Sequence, residues 1–398
     1  MDLRTGAAFW PIKNGLISVY PPLERDETCD VAIVGAGITG ALVAERLSQS
    51  GCDVVVLDRH DVATGSTAAT TGLLLYETDT SLTELVSYVG TERAVRSWQL
   101  GRRAIDDIEA LSQAHGCGFA RRPSLYVASS RWDVKALKAE CALRQQHGFD
   151  VDWMDRSAIT AAFGFTRHGA IFSRADGEVD AYRLTHGLLA EASRRGARIH
   201  DRTNVTHVGT NPGGVTLETD RGPTVRARRL VVASGYEVAE QFGRDQGDLH
   251  STWVFISEPV ADLSWWRDRS LIWETRRPYT YLRTTSDGRV LVGGEDERWS
   301  RRHENTRLLR GKTERLMKRF SALFPDVRLE VAYAWAGIFG TTKDGLPYIG
   351  TVPEHPNTCF ALGYGGNGIT FSTIAADLIR DWWAGHHNPD AELFSFGR

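Results

Sequence analysis

A chain of 398 residues is long enough for two or three domains and at least one well-buried core. Hydrophobic residues at 42% and charged residues at 24% are those of an ordinary globular protein, and a net charge of -3 gives no general attraction to nucleic acid or anionic membrane surfaces. No window approaches about 18 uninterrupted apolar residues, so no membrane span is expected. The five cysteines, at 29, 52, 117, 141 and 359, form no C-x-x-C pair and no ligand-spaced cluster, and no apolar leader precedes Cys29. Free thiols and a reducing, cytoplasmic compartment are the expectation.

In chain order, residues 1–28 carry Phe9, Trp10, Pro11 and a Tyr20-Pro21-Pro22 turn with little periodicity, and read as an irregular arm on a domain surface. Residues 30–34 are a short β-branched run that predicts a buried parallel strand ending at Gly35. Gly35, Gly37 and Gly40 then give G-x-G-x-x-G, residues 38–47 have helical composition, and a second buried run, 54–57, ends on Asp58. The first glycine makes the strand-to-helix turn, the second lets backbone approach a pyrophosphate, and the third brings helix and strand close. The helix N-terminus offers unpaired N–H groups to phosphates. Asp58 stands 23 residues after Gly35, placed to accept hydrogen bonds from an adenosine ribose. The motif alone leaves FAD and NAD undivided.

Residues 61–75, D-V-A-T-G-S-T-A-A-T-T-G-L-L-L, are dense in small residues, which permits close approach to a bulky flat ligand; a surface loop is the alternative. Helical periodicity follows over 80–114, then a strand over 122–130 and a helix over 132–146, an insertion that interrupts the nucleotide-binding pattern. A helix over 181–195 feeds a strand at 198–200, and 204–208 with 215–219 read as a hairpin. The strand 230–233 ends in Ala233-Ser234-Gly235, where a glycine suits either close approach to a cofactor or a plain turn. Residues 250–333 alternate in the manner of strands, with Ser286-Asp287-Gly288 marking a hairpin turn and a helix over 305–320.

Gly363, Gly365 and Gly368 repeat the G-x-G-x-x-G spacing after a strand and before a helix. Only 15 residues follow Trp383, and no acid-terminated strand lies about 20 residues beyond Gly363, so a second nucleotide half does not fit there. The better reading is a glycine-rich turn whose following helix, 369–383, points its positive end at an anionic group. No G-x-S-x-G, H-E-x-x-H or P-loop occurs, which argues against hydrolase, zinc protease and NTPase readings, and the exposed pair His386-His387 reads as solvated, with no metal site expected.

As a set, Gly35-Ala36-Gly37-Ile38-Thr39-Gly40 with Asp58, the Gly65–Gly72 stretch G-S-T-A-A-T-T-G, the strand into Gly235, T-K-D-G-L-P-Y-I-G at 342–350 and Gly363–Thr370 resemble the D-amino acid oxidase superfamily of FAD-dependent amine oxidoreductases, which includes glycine and sarcosine oxidases. The resemblance implies an α/β chain: a Rossmann-like FAD-binding domain from residues 1–85, 155–240 and 331–398, and a discontinuous α+β substrate domain with a mixed sheet from 86–154 and 241–330. It implies non-covalent FAD held by the first turn with Asp58 and Arg59. Gly65, Ser66, Thr67, Ala68, Thr71, Gly72, Leu73 and Leu74 would line the pyrophosphate and ring system, and Val205 would meet adenine through its backbone. Ala233, Ser234, Gly235, Gly337 and Gly340 would add close backbone, and Gly365, Gly366, Asn367, Gly368, Ile369 and Thr370 would surround the flavin's pyrimidine edge. Amides and dipole there would stabilise the charge on reduced flavin.

The implied reaction oxidises the C–N bond of a small amine or amino acid by hydride transfer to flavin N5, with oxygen or another acceptor regenerating the flavin. Such a step needs orientation and an unprotonated amine more than a dedicated base. Tyr279, Tyr281 and Arg283 share one face of a strand by period-2 spacing, making Tyr281 the candidate orienting hydroxyl and Arg283 the candidate anion holder. Glycine oxidase has a carboxylate-binding arginine where this chain has Ile338-Phe339; a second falls at Thr285, and the oxygen-activating lysine of sarcosine oxidase falls at Leu291. Lys343 is expected to hold the T-K-D-G turn. An NAD(P)H-dependent reductase or monooxygenase, or a flavin-holding subunit of a larger complex, are the alternatives. All these readings require the turns at Gly35 and Gly366 to share one cleft.

Overall fold

Short runs of β-branched and small apolar residues build the first of two sheets in the computed structural model, which describes residues 4–237, 247–300 and 305–398. Glu27–Val34 lies parallel between Val54–Leu57 and Thr224–Val232; the sheet continues to Arg198–His200 on one side and to His355–Leu362 on the other. Tyr348–Val352 closes one edge antiparallel, and the hairpin Val205–Asn211 with Gly214–Thr219 is joined to Thr224–Val232. Val31, Ile33, Val54 and Val56 pack into the core shared with helices Ile38–Gln49, Ala181–Arg194 and Gly368–Ala384, while Ala32, Val34, Val55 and Leu57 face the hairpin residues Val215 and Leu217. Burial on both faces is why these strands read as continuous apolar runs without alternation.

The second sheet is mixed and larger. Its order runs Arg4–Gly6, Val331–Thr341, Asp248–Ser257, Val290–Arg298, Thr280–Thr284, Leu271–Glu274, Ala120–Val127, Gly169–Glu178 and Leu73–Leu74, with Val151–Asp155 also paired to Gly169–Glu178. Alternation puts Trp253, Phe255, Leu282, Val290 and Val292 against the helix Thr306–Leu323, whose Leu316 and Phe320 are fully buried. Asn305 caps that helix, its side chain accepting from Arg307 and Leu308 N–H groups.

Sheet membership divides the chain differently from the expected domain boundaries. The second sheet takes Gly169–Glu178 from the 155–240 segment, Val331–Thr341 from 331–398, and Arg4–Gly6 and Leu73–Leu74 from 1–85. In the other direction, the helix Thr91–His115 packs on the Gly368–Ala384 and Ala181–Arg194 helices of the nucleotide side. The expected boundary at 240/241 lies outside the described residues. Which sheet a strand joins is decided by long-range pairing, which local composition does not carry.

Two local readings also change. The 80–114 helix is two, Leu82–Val89 and Thr91–His115, separated at Gly90. The arm is ordered: after the Arg4–Gly6 edge strand, a short helix, Phe9–Asn14, buries Phe9 and Trp10, and Trp10 Nε1 donates to the Thr70 carbonyl at 2.6 Å. No helix among the described residues is long and apolar enough to cross a membrane.

Candidate active site

The first glycine-rich turn is locked by contacts that admit no side chain. A Cβ on Gly35, which sits at φ +107°, would lie 2.4 Å from the Ala233 carbonyl oxygen, and one on Gly40 would lie 1.8 Å from the Gly35 oxygen. Glycine is required here for close approach of strand, helix and the neighbouring Ala233-Ser234-Gly235 segment. The Thr67 hydroxyl accepts from the Ile38 N–H at 2.9 Å and ties the 65–74 loop to the start of the helix. Asp58 Oδ2 accepts from Ala36 N–H at 2.7 Å and Oδ1 from His60 N–H at 2.8 Å. Burial pushes this carboxyl up to about 6, the two backbone donors and Arg59 opposing the rise.

A cavity of about 870 Å³ opens from this turn, lined by residues of both sheets. Gly35, Gly37, Ile38, Thr39, Asp58 and Arg59 line it, as do Gly65, Ser66, Thr67, Thr71 and Leu73 of the small-residue loop. Val205, Ala233, Ser234, Gly235 and Gly337 also line it, and so do Gly365, Gly366, Asn367, Gly368 and Ile369. The turns around Gly35 and Gly366, at opposite ends of the chain, therefore face one space.

Other candidates stand behind this wall. Ala36, Gly40, Ala68, Gly72, Leu74, Gly340 and Thr370 do not line the cavity. Ala36 serves Asp58, Gly40 packs on Gly35, the Gly340 carbonyl accepts from Gly365 N–H at 3.0 Å, and Ala68, Leu74 and Thr370 are buried. Arg283 corrects its expected role: it shares the strand face of Tyr281 but is buried outside the cavity. Its Nη1 donates to the Gly72 carbonyl at 2.6 Å, Nε lies 3.8 Å from Glu178 and the guanidinium covers the Trp10 ring. It braces the 65–74 loop and is committed there. Lys343 is exposed, and the turn is instead held by Thr342 and by Asp344, which Arg398 engages.

At the Gly366 turn, Asp79 is the organising group. Its Oδ2 accepts from Gly366 N–H at 2.8 Å and its Oδ1 from the Tyr279 hydroxyl at 2.9 Å. Asn367 Nδ2 donates to the carbonyls of Leu75 and Glu77, fixing the turn from which the Gly368–Ala384 helix starts. The Gly366 amide expected to serve the flavin is thus taken by Asp79. Gly368 and Ile369, at the helix's positive end, line the cavity nearby.

Beyond this turn the wall is Thr252, Trp273, Tyr279, Tyr281, Asp296, Ile338 and Phe339. Gly293, opposite Tyr281 across the strands, leaves the space its ring occupies: a Cβ there would lie 2.3 Å from the ring. The Tyr281 and Thr252 hydroxyls are 3.3 Å apart, and burial raises the Tyr281 phenol above its ordinary value. Among the described residues, the arginines that line the cavity are tied to nucleotide-side segments: Arg4 to the Thr64 carbonyl, Arg59 to Glu237, Arg202 to the Tyr20 carbonyl and Asp201. Sequence reasoning named Tyr281 but missed Asp79, Thr252, Trp273 and Asp296. The acids lie in polar runs, T-D-T and E-D-E, which read as solvated surface.

The residues present fit a flavin dinucleotide. Buried side-chain atoms without hydrogen-bond partners line the cavity from the loop to the far wall: Ser66 Oγ, Ser234 Oγ and Trp273 Nε1. Buried polar groups are normally satisfied, so such orphans mark where a ligand's polar atoms belong.

The family of proteins described as FAD dependent oxidoreductase matches residues 30–382. The chain is 26% identical over 375 residues to glycine oxidase of Geobacillus kaustophilus, covering 88% of this chain and 92% of that protein. It is 25% identical over 390 residues to gamma-glutamylputrescine oxidoreductase of Escherichia coli, covering 94% and 87%. The crystal structure of G. kaustophilus glycine oxidase superposes with a TM-score of 0.81 at 24% identity, over 94% of this chain and 99% of that one. L-proline dehydrogenase from P. horikoshii has the same fold, with a TM-score of 0.79 at 16% identity over 93% and 97%. With the match spanning almost the whole chain and the cavity built around the dinucleotide turn, the chain belongs to the FAD-dependent oxidoreductase family, and FAD is its cofactor.

Proposed function

We propose that this enzyme oxidises the C–N bond of a small amine or amino acid to an imine, which water then hydrolyses. The observation that carries the reading is the single cavity that runs from the Gly35 turn and Asp58 to the wall formed by Tyr281, Thr252 and Phe339, beside the start of the Gly368–Ala384 helix. Relatives whose names specify glycine and gamma-glutamylputrescine support an amine-bearing substrate.

Bound FAD supplies a two-electron acceptor that takes a hydride equivalent from the carbon bearing nitrogen. The chain's residues do the rest. With FAD bound, Asp58 would accept from ribose hydroxyls, and Ser66, Thr67 and the start of the Ile38–Gln49 helix would hold the pyrophosphate. Asp79 pins the Gly366 turn against Tyr279, so the helix start and the aromatic wall keep a fixed separation. Tyr281, its ring seated over Gly293, orients the substrate. Among the described residues no cysteine lines the cavity, and the histidine that does, His60, stands near Asp58 on the nucleotide side, which supports non-covalent binding.

The test is anaerobic mixing of the yellow holoenzyme with a panel of amines and amino acids, followed by admission of air. Bleaching by an amine and recovery with oxygen identify both half-reactions, and recovery only with a quinone or protein acceptor identifies a dehydrogenase. Bleaching by NADPH with none by any amine sinks the proposal in favour of a reductase.

A further inference from the structure

The strand Val290–Arg298 ends in the acidic run Glu295-Asp296-Glu297, and its three carboxylates meet different fates. Glu295 is engaged by Arg315, Arg319 and Lys312, and Glu297 by Lys312, all from the helix Thr306–Leu323 behind the sheet. The pairing with Asp248–Ser257 slips here: Trp253 opposes Gly294 and Ser251 opposes Glu297, so Glu295 and Asp296 together face Thr252. Glu295 takes φ 63° in this bulge. Inserting one residue re-aims the side chains around it, and the bulge delivers Asp296 to the cavity wall.

Asp296 arrives there with the Thr252 hydroxyl as its hydrogen-bond partner and no ion pair among the described residues, and its Oδ1 is buried without a hydrogen-bond partner. The nearby cations, Lys312 and Arg277, favour the charged form of Asp296 but make their direct contacts elsewhere. Lys312 is held by Glu295 and Glu297 and lies over the Trp253 ring, while Arg277 donates to the carbonyls of Asp79 and Arg276 and covers the outer face of Tyr279. The nearest other carboxylate in the cavity, Asp79, adds repulsion. Tyr279 and Tyr281 lie close enough to feel the charge of Asp296, and they line the same cavity as Trp273 and Phe339; aromatic ring faces attract a cation.

We infer that this pocket takes its substrate as a cation, with Asp296 as the specificity-determining residue that binds the substrate's ammonium nitrogen and accepts the proton it must shed before oxidation; the substrate class is a basic amine, not an amino acid anchored by its carboxylate. The inference rests on the amine-oxidation reading and adds the charge of the ligand to it. Geometry and electrostatics agree. A cation supplies the partner that the orphaned oxygen lacks and relieves the Asp79–Asp296 repulsion, whereas a carboxylate would meet two acids, no uncommitted arginine among the described residues that line the cavity, and Ile338-Phe339 in place of a basic anchor.

The test uses two ligands that share a tert-butyl group and carry opposite charges. tert-Butylamine is protonated at about pH 8 and has no hydrogen on the carbon bearing nitrogen, so it binds without being oxidised; pivalate is the matching anion. Each is titrated into wild-type holoenzyme while the flavin spectrum is followed. The expected result is a dissociation constant for tert-butylamine at least about tenfold below that for pivalate. In Asp296→Asn the amine should weaken at least about tenfold while pivalate holds or improves, with Asp296→Glu recovering part of the loss. Pivalate binding as tightly as the amine in the wild type, or unchanged amine affinity in a yellow Asn variant, overturns the inference. The wild-type comparison decides the matter even if the variants lose flavin. The two readings also fail separately. Binding of tert-butylamine through Asp296, with no oxidisable amine bleaching the flavin, sinks the oxidation reading alone; bleaching by amines with no role for Asp296 sinks this one alone.

Discussion

Arg283 stands on the same strand face as Tyr281, and period-2 spacing could place it no better than that. What the sequence does not carry is depth: two residues further along the strand, the face passes from the cavity to the underside of the 65–74 loop, where Gly72, Glu178 and Trp10 enclose the guanidinium. Arg283→Met should therefore cost stability, about 3–5 kcal/mol for breaking a buried charged contact, and leave the KM for amine within about twofold. Denaturant unfolding and steady-state kinetics check this, and a tenfold KM change at unaltered stability would restore the anion-holder role. Asp296 makes the opposite case. Burial pushes its carboxyl up from 3.8 to about 7; Asp79 adds to the rise, while the Thr252 hydroxyl, Lys312 and Arg277 oppose it. The folded state thus keeps a proton that the unfolded chain has lost, and this group's contribution to stability falls as pH rises from about 4 to about 7 and stays low above that. Asp296→Asn should melt higher than wild type at about pH 8, by at most about 4 kcal/mol of stability, with the gap closing toward pH 4. The same ionisation should give kcat/KM for a basic amine a limb that rises through about pH 7 and is absent from the Asn variant.

The elements that could be recognised beforehand are those whose physics is local. The strand, glycine turn, helix, strand and terminal acid from Glu27 to Asp58 were legible because each residue's constraint acts on its neighbours, down to the Gly40 position that abuts the Gly35 carbonyl. Gly40→Ala should yield colourless protein or raise the dissociation constant for FAD at least about a hundredfold, since the helix must retreat to admit a methyl. Reconstitution followed by fluorescence quenching measures it. The second glycine turn was equally visible, but its fastening was not: Asp79 comes from a loop nearly 290 residues earlier. Asp79→Ala should leave the fold intact and lower the rate of flavin reduction about ten- to hundredfold, as two charge-assisted hydrogen bonds are lost. Stopped-flow bleaching reads the effect, and an unchanged rate would show that the turn holds without it. The bulge at Glu295 was illegible for the same reason: its register belongs to Asp248–Ser257, not to the strand that contains it.

At the scale of the molecule, the fold class could be anticipated and the partition of segments could not. Both sheets draw strands from early, middle and late parts of the chain, and the cavity lies where they face each other. FAD should therefore stabilise both halves by mass action, raising the midpoint of thermal unfolding with ligand concentration while keeping a single transition. Separate transitions for the two halves, only one of them responding to FAD, would contradict that expectation. The interleaving of strands has a practical consequence too. Neither lobe exists as a contiguous stretch, so no single cut can liberate a self-sufficient module. A protease that nicks an exposed loop should leave an associated, still coloured particle, and a gene trimmed to either half should give material that aggregates because it lacks the strands its partner segment lends.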